Sequence, residues 1–387
     1  MWLYKARVLT HDFHFHEMNV NIEQGKIISL SNGNGRNQEN GIELTGFMIL
    51  PGLIDMHVHG YLGYNVMTAQ GNEMDKLSLL LAQNGITSFV PTTTTVEKNQ
   101  ILSALRRIRK LAESGMSGAC IRAIYMEGPF ISQTYTGALL GGGIINPNMG
   151  VLNEFLNAGG DWIKLIAIAP EKKDAESLIR ACVKNNIIVT IAHTAATYMD
   201  TVKAIKTGAS HITHLFNAMS GLHHREPGVI GAAWETSVTV ELICDGYHIS
   251  PTVIKMAYRL FGSKRIILIS DNTQISGMED GIYEMDGQIS IVNNHICRLL
   301  NGPINGNMHS LMYCVKQAVS FGIPLELAVK MATLNPAKVL GIDSFTGSLE
   351  VGKDADLVVV DKNFNVYMTM VKGNIVYQKH WDYKNQL

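Results

Sequence analysis

Eight short apolar runs recur through the middle of the chain: GLIDMHVH, TSFVPT, CIRAIYMEG, IKLIAIAPE, IIVTIAH, SHITHLFN, VTVELICDG and RIILISDN. Parallel strands covered on both faces lose the apolar–polar alternation of a half-exposed strand and read as continuous hydrophobic runs. Between most of them lie amphipathic segments such as EKNQILSALRRIRKLAESG, KKDAESLIRACVKNN and YMDTVKAIKTG, each closed by Gly or Asn in the manner of a helix C-cap. Eight strands in βα alternation predict an α/β fold, a (β/α)8 TIM-like barrel.

The two chain ends have a different period. Residues 1–50 carry short alternating runs (WLYKARVL, MNVNIEQGKIISL) with Asn/Gly turns such as SNGNG, and ADLVVVD and YMTMVKGNIVYQ follow from about residue 345. Two ends of the same β character on either side of a barrel predict one small β-sheet domain from residues 1–50 and 345–387, with the barrel over 51–344. The period changes near Pro51, to within about four residues. GALLGGGIINPNMG (137–150) reads as a mobile loop after the third strand.

A length of 387 residues, 46% hydrophobic and 17% charged residues and a formal net charge of −1 describe a globular protein with a large core. Such a charge gives no global attraction to nucleic acid or to an anionic membrane, so any cationic site must be local. No run reaches membrane-spanning length, and polar residues interrupt the N-terminal region where a signal peptide needs an apolar core; the expected location is the cytoplasm. Five widely spaced cysteines without a CxxC pair argue against a disulfide framework or a thiolate zinc site and predict buried, reduced thiols.

In a (β/α)8 barrel the chemistry sits at the C-terminal ends of the strands. There the apolar runs deliver His57 and His59, Glu127, His193, His214, Asp245 with His248, and Asp271. His57 and His59 stand at i and i+2, so both imidazoles face one side of the strand, with Asp55 on that side too. A single strand-end histidine is ordinarily structural; this many ligating groups on one rim point instead to a divalent ion bound by imidazole and carboxylate, such as zinc, iron or manganese. Lys164 begins its strand and belongs to the opposite end, which makes Glu127 the better candidate for a bridging ligand. His211 reads as structural, whereas His223 and His224 lie in a loop where solvent-exposed and substrate-facing roles are both open.

PGLIDMHVHG, EGPF, the histidine after IIVTIA, HLFNAMSGLHHREPGVIGAAW, CDGYH, ISD and TLNPAKVLG…GSLEVGKDADLVVVD together resemble the N-acetylglucosamine-6-phosphate deacetylases of the amidohydrolase superfamily, over essentially the whole chain. HLFNAM followed by HHREPG is specific to that family; HxH and GKDADLVVVD mark only the superfamily. The resemblance implies a (β/α)8 barrel with a small β-sandwich built from both chain ends. It implies that Glu127, His193 and His214 hold the principal metal, that His57 and His59 complete a second site with Glu127 as bridge, and that Asp271 lies nearby as general acid/base. His248 would polarise the acetyl carbonyl. Asn217, the backbone at Ala218 and Arg225 would contact the sugar phosphate, the arginine being lent by the neighbouring subunit of a homodimer.

Three segments depart from that family's pattern. Gly137-Ala138-Leu139 stands where Gly-Ala-His is usual, Ile304-Asn305-Gly306-Asn307 where Leu-Ala-Gly-Ser is expected, and Asn272-Thr273 replaces an alanine-led pair. Because these segments lie around the sugar in the family, Ala138, Leu139, Asn305 and Asn307 are further candidate substrate contacts. Three readings stay open: deacetylation of N-acetylglucosamine 6-phosphate, deacetylation of a related N-acetylated sugar phosphate such as the galactosamine epimer, and a non-catalytic sugar-phosphate-binding paralogue.

Overall fold

The computed structural model describes residues 1–32, 41–139, 141–285, 287–300 and 302–379. Each of the eight apolar runs supplies a strand. In chain order these are β1 (Leu53–Val58), β2 (Ile86–Thr93), β3 (Ile124–Phe130), β4 (Ile163–Ile168), β5 (Ile188–Ile191), β6 (His211–Ile212), β7 (Thr239–Ile243) and β8 (Ile266–Ile269). Successive strands pair in parallel from β1 through β8. The ring closes beyond the end of β8, where Asp271 donates its amide to the His57 carbonyl (3.0 Å) and His59 donates to the Asn272 carbonyl (2.7 Å). Below that point a buried side chain joins the strands: Asp55 Oδ1 accepts the Ser270 amide at 3.1 Å.

Met56, Val90, Tyr125, Leu165, Ala192, Ile243 and Ile267 fill the barrel interior, and a larger apolar layer packs its outer face against the helices. The amphipathic segments form helices over Lys98–Ser114, Ala175–Lys184 and Tyr198–Thr207, followed by Gly115, Asn185 and Gly208, whose amides donate back to the last turn. The run CIRAIYMEG is interrupted: Cys120–Ile121 pairs with β2, and β3 starts only at Ile124. At the break the Arg122 side chain reaches Ser88 Oγ (2.9 Å) and Asp356 Oδ2 (3.1 Å).

The chain ends form one eight-stranded sheet from Trp2–Leu9, Phe15–Glu23, Lys26–Ser31, Gly41–Glu43, Met48–Pro51, Leu357–Val360, Val366–Val371 and Asn374–Gln378. Leu357–Val360 runs antiparallel to Met48–Pro51, which joins the two ends, and Leu3, Val20, Ile49, Val359 and Met368 belong to a separate apolar core. Most of the expected SNGNG turn and residues 380–387 lie outside the described residues. The segment 137–150, Leu140 aside, makes a loop with a 3-10 turn at Gly141–Gly143 and enters a helix at Met149, capped by the Asn148 side chain. Four of the five free cysteines are buried as expected, while Cys120 is partly exposed.

The sequence reading passed over a third sheet, the antiparallel strands Gly281–Met285, Gln288–Asn293 and Ile296–Leu299 inserted after β8. Its second hairpin turns at Asn294 and His295, both left-handed (φ 50° and 58°), with the Asp280 carboxylate accepting both turn amides. Ile275, Val292, Cys297 and Met308 pack beneath it.

The barrel and the terminal sheet meet at a buried ion pair. Asp356, in the GKDADLVVVD stretch, accepts from Arg122, from Thr346 Oγ1 (2.8 Å) and from the Lys372 amide (2.7 Å). Removing one member of such a pair leaves a buried charge without a partner. Asp356→Ala is expected to lower unfolding stability by about 3–5 kcal/mol in denaturant titration; a loss under about 1 kcal/mol, typical of surface pairs, would contradict the role assigned to this contact.

Candidate metal centre and active site

The strand ends place five ligand-type side chains around one point. Glu127 leaves β3 with its backbone carbonyl held by Thr95 Oγ1 (3.0 Å). Its Oε1 lies 3.1 Å from His193 Nε2, 2.9 Å from His214 Nε2 and 3.4 Å from His57 Nε2, and its Oε2 lies 3.1 Å from His59 Nε2. Glu127, His193 and His214 form one possible metal-binding group and His57, His59 and Glu127 a second, so the carboxylate is shared.

The hydrogen bonds on the far side of the rings fix what faces inward. His57 Nδ1 bonds to Glu241 Oε2 (3.2 Å), His59 Nδ1 to the Thr92 carbonyl (3.1 Å) and His193 Nδ1 to the Tyr135 carbonyl (3.0 Å). An imidazole that donates through Nδ1 presents a lone pair at Nε2. Yet His57 and His59 bring these nitrogens to 3.1 Å of each other, and His193 and His214 do the same. Two lone pairs that close, as the Nδ1 bonds of His57 and His59 imply, repel unless a cation lies between them, and each group offers the imidazole and carboxylate donors that suit a divalent ion. Electrostatics point the same way. Burial opposes charge on His57, but the carboxylates of Asp271 and Glu127 outweigh it and push its pKa well above the usual imidazole value. Glu127, despite its burial, is held well below the ordinary carboxylate range by His57 and His193. His214 Nδ1 is buried without a partner.

Several of these residues sit in strained turns directly after their strands: His193, His214 and Asp271 have φ of 44°, 28° and 52°, and Ala218, further along the loop after β6, has 49°. The turn after β5 is clasped by Glu171, which accepts from Thr194 Oγ1 (2.5 Å) and the Ala195 amide (2.8 Å). Asp271 Oδ1 reaches to 3.4 Å from His57 Nε2 and 3.6 Å from His59 Nε2. His248 Nδ1 bonds to Asp245 Oδ2 at 2.6 Å; this contact overrides the effect of burial and keeps Asp245 below its ordinary value.

All of this opens into a cavity of about 240 Å³ whose wall includes His59, Glu127, His193, His214, His248 and Asp271. Asn217, Ala218, Ala138, Leu139 and Asn305 line it as well, joined by Met285 and Gln288 from the inserted sheet. Gln288 donates to the Ala138 carbonyl (3.1 Å) and Asn305 to Ser290 Oγ (3.0 Å), which fastens the substrate-side loops to that sheet.

Asn307 and Asn272 are not in the wall. Asn272 Nδ2 donates to the carbonyls of Asn307 (2.7 Å) and His309 (2.9 Å), and Asn307 Nδ2 to the His309 carbonyl (2.9 Å), so the two asparagines hold the segment after β8 together instead of facing a ligand. Arg225 is also outside the cavity: it is exposed, with Nη1 2.7 Å from His224 Nε2. His223 and His224 are exposed beside it. His211 is buried against Thr239 and Glu241, as a structural histidine would be, and Lys164 lies at the opposite end of β4 from the site.

Residues 48–376 match the family model described as the amidohydrolase family. The chain is 37% identical over 335 residues, 85% of each chain, to an N-acetylglucosamine-6-phosphate deacetylase of Bacillus subtilis (strain 168). The chain belongs to the amidohydrolase family. An N-acetylgalactosamine-6-phosphate deacetylase of Escherichia coli O157:H7 is 34% identical over 330 residues, 85% of this amidohydrolase and 87% of that protein. Among solved structures, a mutant N-acetyl-D-glucosamine-6-phosphate deacetylase from Mycobacterium smegmatis, in complex with N-acetyl-D-glucosamine-6-phosphate, superposes with a TM-score of 0.91 at 31% identity, covering 97% of this chain and 99% of that one.

Sequence reasoning on this amidohydrolase missed Glu241 and the inserted sheet. A carboxylate in the middle of the apolar run VTVELICDG was the available signal for the first. For the second it was the alternation in GIYEMDGQISIV.

The shared carboxylate implies two ions per chain when metal is plentiful. Plasma emission analysis of metal-saturated protein should give close to two, and His57→Gln with His59→Asn should reduce the count to one. Equal counts in both proteins would remove the ligand role of the pair.

Proposed function

We propose that this chain hydrolyses the N-acetyl amide of N-acetylglucosamine 6-phosphate, releasing glucosamine 6-phosphate and acetate. The observation that carries the reading is the convergence of Glu127, His59, His193, His214, Asp271 and His248 on one cavity, with His57 buried directly behind it, in a chain related over most of its length to deacetylases of that substrate. Glu127, His193 and His214 would hold the principal divalent ion, with His57 and His59 completing the second site; zinc, iron and manganese all suit this donor set. A bound ion supplies the Lewis acidity that lets water attack an amide at neutral pH.

Asp271 takes the proton of the attacking water as the C–O bond forms and returns it to the nitrogen as the C–N bond breaks. His248 faces the acetyl oxygen. Its Nδ1, 2.6 Å from Asp245 Oδ2, holds the ring so that Nε2 is the atom directed at that oxygen. Asp271→Asn should keep its metal and lose at least about 100-fold in kcat, since an amide cannot accept the proton. A variant retaining a tenth or more of the turnover would contradict the role.

A second reading, the galactosamine epimer, draws support from the Escherichia coli relative and from Leu139 and Asn305 in the cavity wall. Acetate release from a panel of N-acetylhexosamine 6-phosphates should be fastest with the glucosamine compound. Faster release from the galactosamine compound supports the second reading, and release from neither supports a non-catalytic paralogue.

Phosphate needs a cation, and no Lys or Arg occurs among the described residues lining the cavity. Arg225, with its planar fork, is the proposed phosphate ligand of a neighbouring subunit in a homodimer, with Asn217 and the Ala218 backbone as further contacts. Exposed Leu222 and Trp234 supply apolar surface close to it in sequence. Arg225→Ala should raise KM for the phosphorylated substrate by at least about tenfold and leave weak turnover of the unphosphorylated sugar unchanged; equal losses on both would reject the phosphate role. In this reading the terminal sheet (residues 1–50 and 345–387) supports a catalytic barrel (51–344). The location fits the cytoplasm, and no helix among the described residues is long and apolar enough to cross a membrane.

A further inference from the structure

The four histidines differ in what stands behind them. The outer nitrogens of His59 and His193 rest on neutral backbone carbonyls, and that of His214 has no partner. His57 alone of the four bonds outward to a carboxylate, Glu241, which is fully buried inside the barrel. Glu241 Oε2 also accepts the His214 amide (3.2 Å), and its Oε1 faces His211 Nε2 (3.1 Å), whose Nδ1 lies 2.6 Å from Thr239 Oγ1. Thr239, His211, Glu241 and His57 therefore form a continuous polar chain through the barrel interior, ending at one of the two metal groups.

We propose that Glu241 is a positioning residue for the subsite of His57, His59 and Glu127, and that it decides whether the chain holds a second ion. The proposal rests on the metal reading of that group. A carboxylate behind a histidine ligand fixes the Nδ1–H tautomer and makes Nε2 a more basic ligand than a backbone carbonyl does. Glu241 places that negative charge behind the second subsite. The principal subsite meets it only at the backbone amide of His214. The role of His211 follows: it holds the second carboxylate oxygen and so sets the angle at which the first meets His57.

Glu241→Gln separates charge from shape. The amide oxygen can still accept from His57 and the His214 amide, while the amide nitrogen donates to His211 if that ring exchanges its tautomer toward Thr239, so packing and hydrogen bonds survive and only the charge is lost. The test uses the full chain, stripped with chelator and titrated with zinc alone against a chromophoric competitor, together with thermal melts of the metal-free proteins. Wild type is expected to bind two ions. In Glu241→Gln one site should weaken by about 10–100-fold, while the other stays within about twofold and the metal-free protein, though less stable for losing a buried charge, still melts in one cooperative transition. Two unaltered sites, or two sites weakened equally, would overturn the proposal. A wild-type chain that binds no ion would overturn the metal reading itself, and one that binds a single ion would overturn the proposal alone. Wild-type protein gives an independent check that does not depend on the variant folding: imidazole nitrogen NMR of the zinc-loaded chain should show His57 as the Nδ1–H tautomer, and the opposite tautomer would overturn the assignment.

Discussion

The Nε2 atoms of His57 and His59, and those of His193 and His214, stand 3.1 Å apart around one buried carboxylate, and much of the barrel rim is arranged to hold them there. Glu127 sits at the focus. The Tyr135 and Thr92 carbonyls and the Glu241 carboxylate orient three of the rings, and Glu171 clasps the turn that carries His193. The left-handed backbone at His193, His214 and Asp271 is the local cost of turning side chains inward at the ends of short strands. Even the closure of the barrel shares this machinery, since the seam between β1 and β8 is made by the backbone of His57, His59, Asp271 and Asn272.

The substrate side is built separately. The loop through Ala138 and Leu139 and the segment through Ile304 and Asn305 are both tied to the inserted sheet, through Gln288 and Ser290. Leu139, Met285, Pro303 and Ile304 give this wall an apolar character, while the metal side is polar and charged. Changes in the inserted sheet can therefore reshape the pocket without disturbing the ligands. Of the segments that depart from the family pattern, Leu139, Ile304 and Asn305 stand in this wall, away from the Glu127 focus.

The barrel was legible because burial on both strand faces removes most polar residues from eight runs, and the rim chemistry was legible because ligand-type side chains collect where most of those runs end. What stayed hidden depended on partners distant in sequence. Glu241 looks like an interruption of an apolar strand until His57, 184 residues away, is brought against it. Arg122, a charge within an apolar run, finds its partner in Asp356, 234 residues on. Asn272 and Asn307 read as candidate sugar contacts by position, but their side chains turn toward the carbonyl of His309, a direction no spacing rule contains. The inserted sheet was missed because its short alternating strands follow a different period from the barrel and carry no ligand-type motif of their own.

The most direct test of the account is acetate release from N-acetylglucosamine 6-phosphate by chelator-stripped protein, followed as metal is returned to the same sample. No acetate from the stripped chain, and release that grows with bound ion to saturation, is the predicted result. Hydrolysis at the full rate by protein shown to be free of metal would contradict it.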